Sequence, residues 1–250
     1  MLPTPSTSHA SFDNIYEPAE DSYLLLDTLS SKAESTFLTQ RFHPTGPSPL
    51  ILEVGVGSGV VLAFAAANAK VIFGHSDVAV LGVDVNPFAA KTAVQTIAIA
   101  LKDLKVKPIT LGAVLADLTS SLRPGEVDVL IFNPPYVPTE PLSATSSIPS
   151  EAMLDSHATF ERDSKLLELS YAGGVNGMET TNRLLEQLPD VLSERGVAYV
   201  LLCAQNKPED VKASIRQWPG SWKAETVGSS GKTASWEKLC VLRIWRDVVP

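Results

Sequence analysis

The residues with the most distinctive chemistry form an Asn-Pro-Pro-Tyr tetrapeptide at positions 133–136. Two consecutive prolines fix the backbone and remove two N–H donors, so the Asn133 side chain and the Pro134 carbonyl can point outward as hydrogen-bond acceptors. Tyr136 adds a flat aromatic face. Two acceptors and a ring would hold a planar –NH2 group by both of its hydrogens. The alternative interpretation is a rigid proline turn that ends a strand.

Holding an amide or aromatic amine in this way would make it a better nucleophile. The lone pair of such a nitrogen is delocalised into a π-system, and acceptors on both N–H bonds return electron density to the nitrogen. They also stabilise developing positive charge and aim the nitrogen at an electrophilic methyl group. This chemistry needs no dedicated base, and the sequence shows no Ser/His/Asp triad.

A glycine-rich turn lies upstream, where residues 53–59 read Glu-Val-Gly-Val-Gly-Ser-Gly. Such glycines allow a tight turn and a close approach of a ligand to the backbone, although a turn without a ligand is the alternative. The G-x-G-x-G spacing, with Val60 next, differs from the G-x-G-x-x-G of dinucleotide binders and from a P-loop. Glu53 would repel a pyrophosphate but could receive a cation such as the ammonium of an amino acid.

Acidic side chains follow the next two predicted strands. Asp84 ends one strand, where an acid commonly accepts hydrogen bonds from ribose hydroxyls; a helix N-cap is the alternative, for which Asn86 is better suited. Asp117 and Leu118 follow the next strand and would suit the amine and the face of an adenine, although Asp117 alone could be a loop acid. The predicted pocket has carboxylates for hydroxyl and ammonium groups and no basic side chain for phosphates. It therefore fits S-adenosylmethionine (SAM) better than NAD or ATP.

These residues follow strands in an alternating pattern. Apolar segments predict strands at 50–54, 80–85, 108–115, 127–132 and 197–203, with a closing pair at 222–227 and 238–245. The first ordered element is predicted to begin near Tyr16, with Pro18 at the first position of a helix whose apolar side reaches Leu29. Further helices are predicted at 60–69, at 87–102 and around 184–192, and the proline-rich segment 39–49 is predicted as a loop. The pattern indicates an α/β fold with a mostly parallel sheet covered on both faces. Ligands bind such sheets at the carboxyl ends of the strands, where the motifs lie.

Composition and charge narrow the function classes. The chain has 250 residues, 44% hydrophobic and 19% charged, which is typical of a globular protein. No apolar run is long enough for a transmembrane helix. The net charge of −8 and the lack of a basic run make nucleic acid a less expected partner. Cys203 and Cys240 lie in apolar runs and are predicted to be buried thiols, and no metal-site spacing is present.

The domain organisation follows from the same patterns. Residues 1–11 are rich in Pro, Ser and Thr and are predicted to be a disordered tip, and residues 12–250 are predicted to form a single domain. Residues 137–170 lack periodicity over most of their length, which is typical of a lid or an irregular insertion.

In these motifs the chain resembles the HemK-related class I methyltransferases, and specifically the eukaryotic enzymes that methylate a glutamine side-chain amide, in the GGQ motif of the class 1 peptide-release factor. The resemblance covers nearly the whole domain. It is carried by residues 16–21 (Tyr-Glu-Pro-Ala-Glu-Asp), 52–59, 84–87, 117–118, 133–136 and 172–177 (Ala-Gly-Gly-Val-Asn-Gly). The 16–21 segment points to the eukaryotic subfamily. Segments 39–49 and 137–170 depart from shorter relatives.

The resemblance implies a doubly wound, Rossmann-like sheet of seven strands with the last strand antiparallel. It also implies SAM as the cofactor. The candidate cofactor-binding residues are Ser22 (often Thr in relatives), Glu53, Gly55, Gly57, Asp84, Asp117, Leu118 and Asn133, and the candidate catalytic residues are Asn133, Pro134 and Tyr136. No metal ligand is expected.

The resemblance further implies a heterodimer, in which this chain is the catalytic subunit and a small zinc-binding activator protein is the partner. The family order places the strand near 109–115 at a sheet edge. This strand carries few charges, and an exposed apolar edge invites pairing with another chain's strand. The location implied is cytoplasmic, with a nuclear location left open, and no membrane association is expected.

Other functions remain open at this point. Adenine also carries a planar –NH2 group, so an adenine-N6 nucleic-acid methyltransferase is one alternative, and a protein lysine methyltransferase is another. The acidic charge and the absence of a recognisable target-recognition domain favour a protein substrate. A non-catalytic module that keeps only the fold is a third alternative, but the intact motifs at four strand ends argue against it. A dehydrogenase is the least favoured function, because Val60 breaks the G-x-G-x-x-G spacing of dinucleotide binders.

Overall fold

A computed structural model describes residues 2–105, 107–142, 164–231 and 238–247. Most of the predicted lid, residues 143–163, lies outside the described residues. In the described part, residues 164–168 are helical. Residues 2–11, predicted to be a disordered tip, are placed as coil and turns, and a ring nitrogen of His9 lies 3.2 Å from the Thr96 hydroxyl. Disorder of this segment stays a prediction.

Strands in the described part of the chain form one seven-stranded sheet. They are β1 (Leu50–Val54), β2 (Ala79–Asp84), β3 (Ile109–Leu115), β4 (Val127–Phe132), β5 (Leu192–Cys203), β6 (Trp222–Ser229) and β7 (Leu239–Arg246). Their order is β3-β2-β1-β4-β5-β7-β6. Strands β1 to β5 pair in parallel, whereas β7 runs antiparallel to β5 and β6. The predicted α/β class and the antiparallel last strand are confirmed.

Helices cover both faces of this sheet. They are α1 (Glu20–Ser30), α2 (Lys32–Arg41), α3 (Val60–Ala67), α4 (Ala69–Ile72), α5 (Pro87–Ala100), α6 (Glu179–Val191) and α7 (Pro208–Ile215). Side chains of α1 to α5 share one buried apolar cluster with one face of the sheet, and those of α6 and α7 share a second cluster with the other face. Because helices cover both faces of the sheet, both faces of each central strand are buried. This explains why the central strands are apolar along nearly their whole length.

Several elements differ from the predictions, and helix α7 lies where no helix is predicted. Helix α1 begins at Glu20 because Ala19 is extended, so Pro18 precedes the helix. Helix α2, for which no helix is predicted, runs to Arg41 and takes the first residues of the predicted loop. Strand β5 begins at Leu192, because a register shift lets Leu192 pair with Val127 ahead of the regular ladder.

Helix α2 was not predicted because hydrogen bonds of polar side chains, and not a continuous apolar stripe, attach it to the sheet. Glu34 is buried, where its carboxylate accepts hydrogen bonds from the Tyr199 hydroxyl at 2.7 Å and from Arg243 at 2.8 Å. At the other end, Arg41 donates to the carbonyl oxygens of Arg195 and Arg246. An apolar periodicity, the main sequence signal for a helix, is therefore weak here.

The cysteines are buried, as predicted, and contribute to opposite faces. Cys203 belongs to the cluster beneath α1 to α5 and Cys240 to the cluster beneath α6 and α7. Burial raises the pKa of the Cys240 thiol to about 11. None of the helices in the described ranges is both long and apolar enough to cross a bilayer.

The sheet reverses its order between β1 and β4. From β1 the chain builds outward to β2 and β3, and it then returns to add β4 and β5 on the other side. A crevice opens at the carboxyl ends of strands at such a reversal. The glycine turn after β1, Asp84 at the end of β2 and the tetrapeptide after β4 meet there.

Candidate active site

One cavity of about 360 Å³ is lined by every residue that was predicted to bind the cofactor or the reacting amide. Its volume lies within the range of small-molecule sites. The lining contains all of the following predicted residues: Ser22, Glu53, Gly55, Gly57, Asp84, Asp117, Leu118, Asn133, Pro134 and Tyr136. Ile15, Tyr16 and Pro18, from the segment before α1, add a wall.

The glycine turn and Asp84 are joined by direct hydrogen bonds. Gly57 has a φ of 51°, a conformation that favours glycine, and its N–H donates to Asp84 Oδ2 at 2.9 Å. The N–H of Asn86 donates to the other oxygen of Asp84, also at 2.9 Å. Burial raises the pKa of Asp84, and these two donors oppose that rise. Each oxygen keeps a lone pair for a ligand hydroxyl.

Asn86, not Asp84, caps the following helix. Its Oδ1 accepts a hydrogen bond from the N–H of Phe88 at 2.9 Å, in an extended backbone conformation. Its Nδ2 donates to the carbonyl oxygen of Asn14 at 2.7 Å, which ties the N-terminal wall to α5. Asp84 is therefore not needed as the helix cap, and it lines the cavity. The sequence likewise favours Asn86 as the cap.

Glu53 has a role that was not predicted. Its Oε2 accepts a hydrogen bond at 2.8 Å from the N–H of Leu62, which has no partner within α3 because it lies in the first turn. The side chain is only 3% exposed. Burial, reinforced by the charge of Asp84, raises the pKa of Glu53 well above its usual range.

The carboxylates in this part of the cavity lack cationic partners. Asp21 is buried, and its Oδ1 accepts hydrogen bonds from the N–H and the hydroxyl of the adjacent Ser22. Among the described residues, no basic side chain pairs with Asp21, Glu53 or Asp84. Buried carboxylates without a counter-charge are costly, so the arrangement suits a ligand that carries positive charge.

At another part of the cavity, Asp117 is paired with a residue that the sequence did not reveal. Arg183 of α6 donates to Asp117 Oδ2, and the two side chains are 45% and 46% exposed. The other oxygen of Asp117 remains for a ligand donor. Leu118 is buried and has a φ of 52°, unusual for a residue other than glycine. Strained backbone of this kind is concentrated at functional sites.

The acceptor corner, residues 133–136, carries an unsatisfied acceptor. Asn133 Oδ1 is fully buried and accepts no hydrogen bond from the described residues. Leaving a buried acceptor without a partner costs about 1–3 kcal/mol. A ligand N–H donor that reaches this oxygen would remove that cost, so the corner offers an acceptor to an –NH2 group.

A second loop supports this corner. The N–H of Val137 donates to the Tyr171 carbonyl at 3.1 Å, and the N–H of Gly173 donates back to the Val137 carbonyl at 2.8 Å. The buried side chain of Asn206, after β5, also donates to the carbonyl oxygen of Tyr136. No sequence pattern marks Asn206 or Arg183, because each reaches the site from an element distant in the chain.

The chain is similar to known methyltransferases along nearly its whole length, although no protein-family model matches it. It is 35% identical over 253 residues to the "eRF1 methyltransferase catalytic subunit mtq2" of Schizosaccharomyces pombe, which covers 98% of this chain and 96% of the relative. It is 33% identical to "Methyltransferase HEMK2" of Mus musculus, covering 97% and 96%.

An archaeal relative and a solved structure extend the comparison. A "putative protein N5-glutamine methyltransferase" of Methanocaldococcus jannaschii is 29% identical, covering 93% of this chain and 92% of the relative. The crystal structure of a ribosomal protein L11 methylase from Lactobacillus delbrueckii is 13% identical with a TM-score of 0.52, covering 93% of this chain and 81% of that one. At that identity the likeness concerns the fold alone.

Proposed function

The chain belongs to the family of the eukaryotic HEMK2 and release-factor methyltransferases, and from this premise we propose that it methylates the side-chain amide nitrogen of a glutamine in a protein. The substrate we infer is the peptide-release factor, at the glutamine of its GGQ motif. The observation that carries the proposal is the buried, unsatisfied Oδ1 of Asn133 in the same cavity as the glycine turn.

The residues around the glycine turn fit SAM as the methyl donor. Asp84 would accept hydrogen bonds from the ribose hydroxyls, and Asp117 and Leu118 would hold the adenine. The methionine end would lie against Ser22, Glu53, Gly55 and Gly57, where the carboxylates without counter-charge favour its ammonium group. When bound, SAM supplies an electrophilic methyl group on its sulfonium.

The chain's own contribution is to hold and activate the amide. Asn133 Oδ1 and the Pro134 carbonyl accept the two amide N–H bonds, while Tyr136 lies against the amide plane. These acceptors would stabilise the positive charge that develops on nitrogen as it takes the methyl group and the methyl–sulfur bond breaks, which leaves S-adenosylhomocysteine, and the amide would then lose one proton to water. The cavity would fix the direction of attack. Positioning and electrostatics therefore replace a general base.

We further propose that a small zinc-binding activator protein pairs with β3 to form a heterodimer. Strand β3 is an edge strand, and Ile109, Leu111 and Leu115 on it are 58%, 54% and 59% exposed. Apolar side chains on an unpaired edge favour the addition of a strand from another chain. A cytoplasmic location stays a prediction.

The function is tested by methyl transfer from labelled SAM to purified release factor, to an oligonucleotide that contains adenine and to a protein that offers lysine side chains. We expect label on purified release factor, and mass spectrometry should place it on the GGQ glutamine. A release factor with that glutamine replaced by alanine is the control. Label on adenine of an oligonucleotide or on a lysine, with none on the release factor, would favour the alternative functions instead. The assay is run with and without the activator protein.

A further inference from the structure

Asn206 joins the segments that surround the acceptor corner. It lies in a short 3-10 helix, Ala204–Asn206, directly after β5, and its side chain is 3% exposed. Its Nδ2 donates to the carbonyl oxygens of Tyr136 at 3.2 Å, Asn176 at 3.0 Å and Gly177 at 3.3 Å. One buried amide thus holds backbone from two loops that are distant in the sequence.

The same side chain is itself fixed on the sheet. Its Oδ1 accepts a hydrogen bond from the N–H of Cys203, the last residue of β5, at 2.8 Å. Because β5 pairs with β4 and β7 in the middle of the sheet, its carboxyl end is a rigid support. Asn206 transmits that rigidity to the corner after β4.

The loop at residues 172–177, here called the buttress loop, packs backbone against backbone on the corner. A Cβ atom at Gly173 would overlap the carbonyl oxygen of Pro135, and one at Gly177 would overlap that of Tyr136. Glycine at these positions therefore allows an approach that no other residue permits. The corner is held from one side by this loop and from another by Asn206.

Glu179, the first residue of α6, also holds the buttress loop. Its Oε1 accepts from the N–H of Val175 at 3.1 Å, and its Oε2 accepts from the N–H of Leu142 at 3.0 Å. With Asn206 bonded to the carbonyls of Asn176 and Gly177, the loop is fixed by hydrogen bonds to two different elements.

We infer that Asn206 is a positioning residue for the acceptor side of the reaction. It sets the backbone at Tyr136 and so the place from which Asn133 and Pro134 accept the amide. The inference rests on the proposed function, in which the corner holds an amide. A misplacement of about 1 Å at a reacting group can cost about 100-fold in rate.

The cofactor side of the cavity is held independently of Asn206. Asp84 is fixed by the N–H groups of Gly57 and Asn86, and Glu53 by that of Leu62. A change at Asn206 should therefore lower turnover and raise the KM for the protein substrate, while leaving the affinity for SAM unchanged. A residue that only stabilised the fold would not separate these quantities.

The test uses Asn206→Asp and Asn206→Ala, with Asn182→Ala as the matched control. Asp keeps the acceptor for the Cys203 N–H but, when ionised, places a carboxylate against three carbonyl oxygens. Asn182 is an exposed asparagine of α6 outside the cavity lining, so Asn182→Ala makes the same change of residue type away from the corner. Calorimetry measures SAM affinity, and a methyl assay on the release factor measures kcat and KM.

We expect both Asn206 variants to bind SAM within about threefold of wild type and to lose at least tenfold in kcat/KM, with the control near wild type. SAM binding itself shows that a variant is folded. Normal kcat/KM in both Asn206 variants would overturn the inference, and so would a parallel loss of SAM binding. Failure of the wild-type chain to methylate the release factor would instead overturn the proposed function.

Discussion

Asn133 is the residue on which the chemistry depends most. A buried amide oxygen without a partner is a cost to the ligand-free protein, and it is retained in the cavity that also holds the cofactor motifs. Such a cost is expected at a functional site, where a ligand supplies the missing donor.

Replacing Asn133 by alanine should separate binding from catalysis. We expect Asn133→Ala to abolish methylation of the release factor, because one amide N–H loses its acceptor, and to leave SAM affinity within a few-fold. Turnover and calorimetric affinity are measured on the same preparation. Near-normal turnover of this variant would show that the corner does not hold the amide.

Asp84 should act on the ribose and not on the methionine end. Asp84→Asn keeps the side-chain shape but weakens acceptance from the ligand hydroxyls and from the Gly57 N–H. We expect it to lower the affinities for SAM and for 5′-methylthioadenosine, which lacks the amino-acid part, by a similar factor of about tenfold or more. A loss confined to SAM would place Asp84 at the methionine end.

Glu53 should make stability depend on pH. Its folded-state pKa is raised by burial, so the ligand-free protein favours the protonated form. This contribution is complete below the ordinary pKa of a glutamate and is lost as the pH rises through the raised value. We expect the unfolding free energy of the ligand-free protein to fall over that window, as measured by urea unfolding.

Glu53→Gln is the control for this prediction. It keeps an acceptor for the Leu62 N–H and removes the titration, so the unfolding free energy should fall less steeply with pH. A smaller dependence should persist, since the pKa of Asp84 is also raised. Equal pH slopes in the variant and the wild type would contradict the assignment.

At the scale of elements, the sequence predicted what depends on local patterns. Apolar runs predicted the strands, and the motifs at their carboxyl ends predicted the cavity, because in a parallel sheet those ends share one edge. Asn206, Arg183 and the bond from Glu53 to Leu62 were missed. Each depends on a contact between two different segments of the chain. No periodicity or motif at those positions indicates the contact, so it could not be predicted from one sequence.

Helix α2 was missed for a related reason, and its anchor is testable. Glu34 satisfies the Tyr199 hydroxyl and the Arg243 guanidinium, both buried. Glu34→Ala removes the acceptor of the Tyr199 hydroxyl and of Arg243 Nη1, whereas Arg243 Nη2 keeps its bond to Glu225. We expect these two unsatisfied buried donors to lower the free energy of unfolding by about 3 kcal/mol. Urea unfolding measures the change.

The exposed residue Glu194, on the same sheet, provides the comparison for α2. Glu194→Ala should change the unfolding free energy by less than about 0.5 kcal/mol. In a double mutant with Tyr199→Phe, the effect of Glu34→Ala should be smaller than in the wild-type background, because the hydroxyl no longer needs its acceptor. Strictly additive effects would mean that the two side chains are not coupled.

In the whole molecule, the exposed edge strand β3 leads into the cavity wall through Asp117 and Leu118, but the residues of the strand itself do not line the cavity. The cavity lies where the strand order reverses, whereas β3 lies at one end of the sheet. The proposed partner can therefore pair with β3 while the site stays open to a protein substrate. The sequence predicted this edge only through the family's strand order.

A single charge on β3 should disrupt the heterodimer. We expect Leu111→Lys to abolish co-purification with the activator protein, because it places a charge in a buried strand pair. Val71→Lys is a matched control, since Val71 lies on α4 and is 55% exposed against 54% for Leu111. Unchanged association of the Leu111 variant would show that the partner binds elsewhere.

In the proposed reaction, the methyl donor and the amide nitrogen meet at the acceptor corner. A crystal structure of the chain with sinefungin, a SAM analogue, and a glutamine peptide from the release factor tests it most directly. We predict the glutamine amide within hydrogen-bond distance of Asn133 Oδ1, with its nitrogen facing the amine that replaces the methyl group. An amide bound elsewhere, or a nucleoside turned away from the corner, would show that the reaction does not take place there.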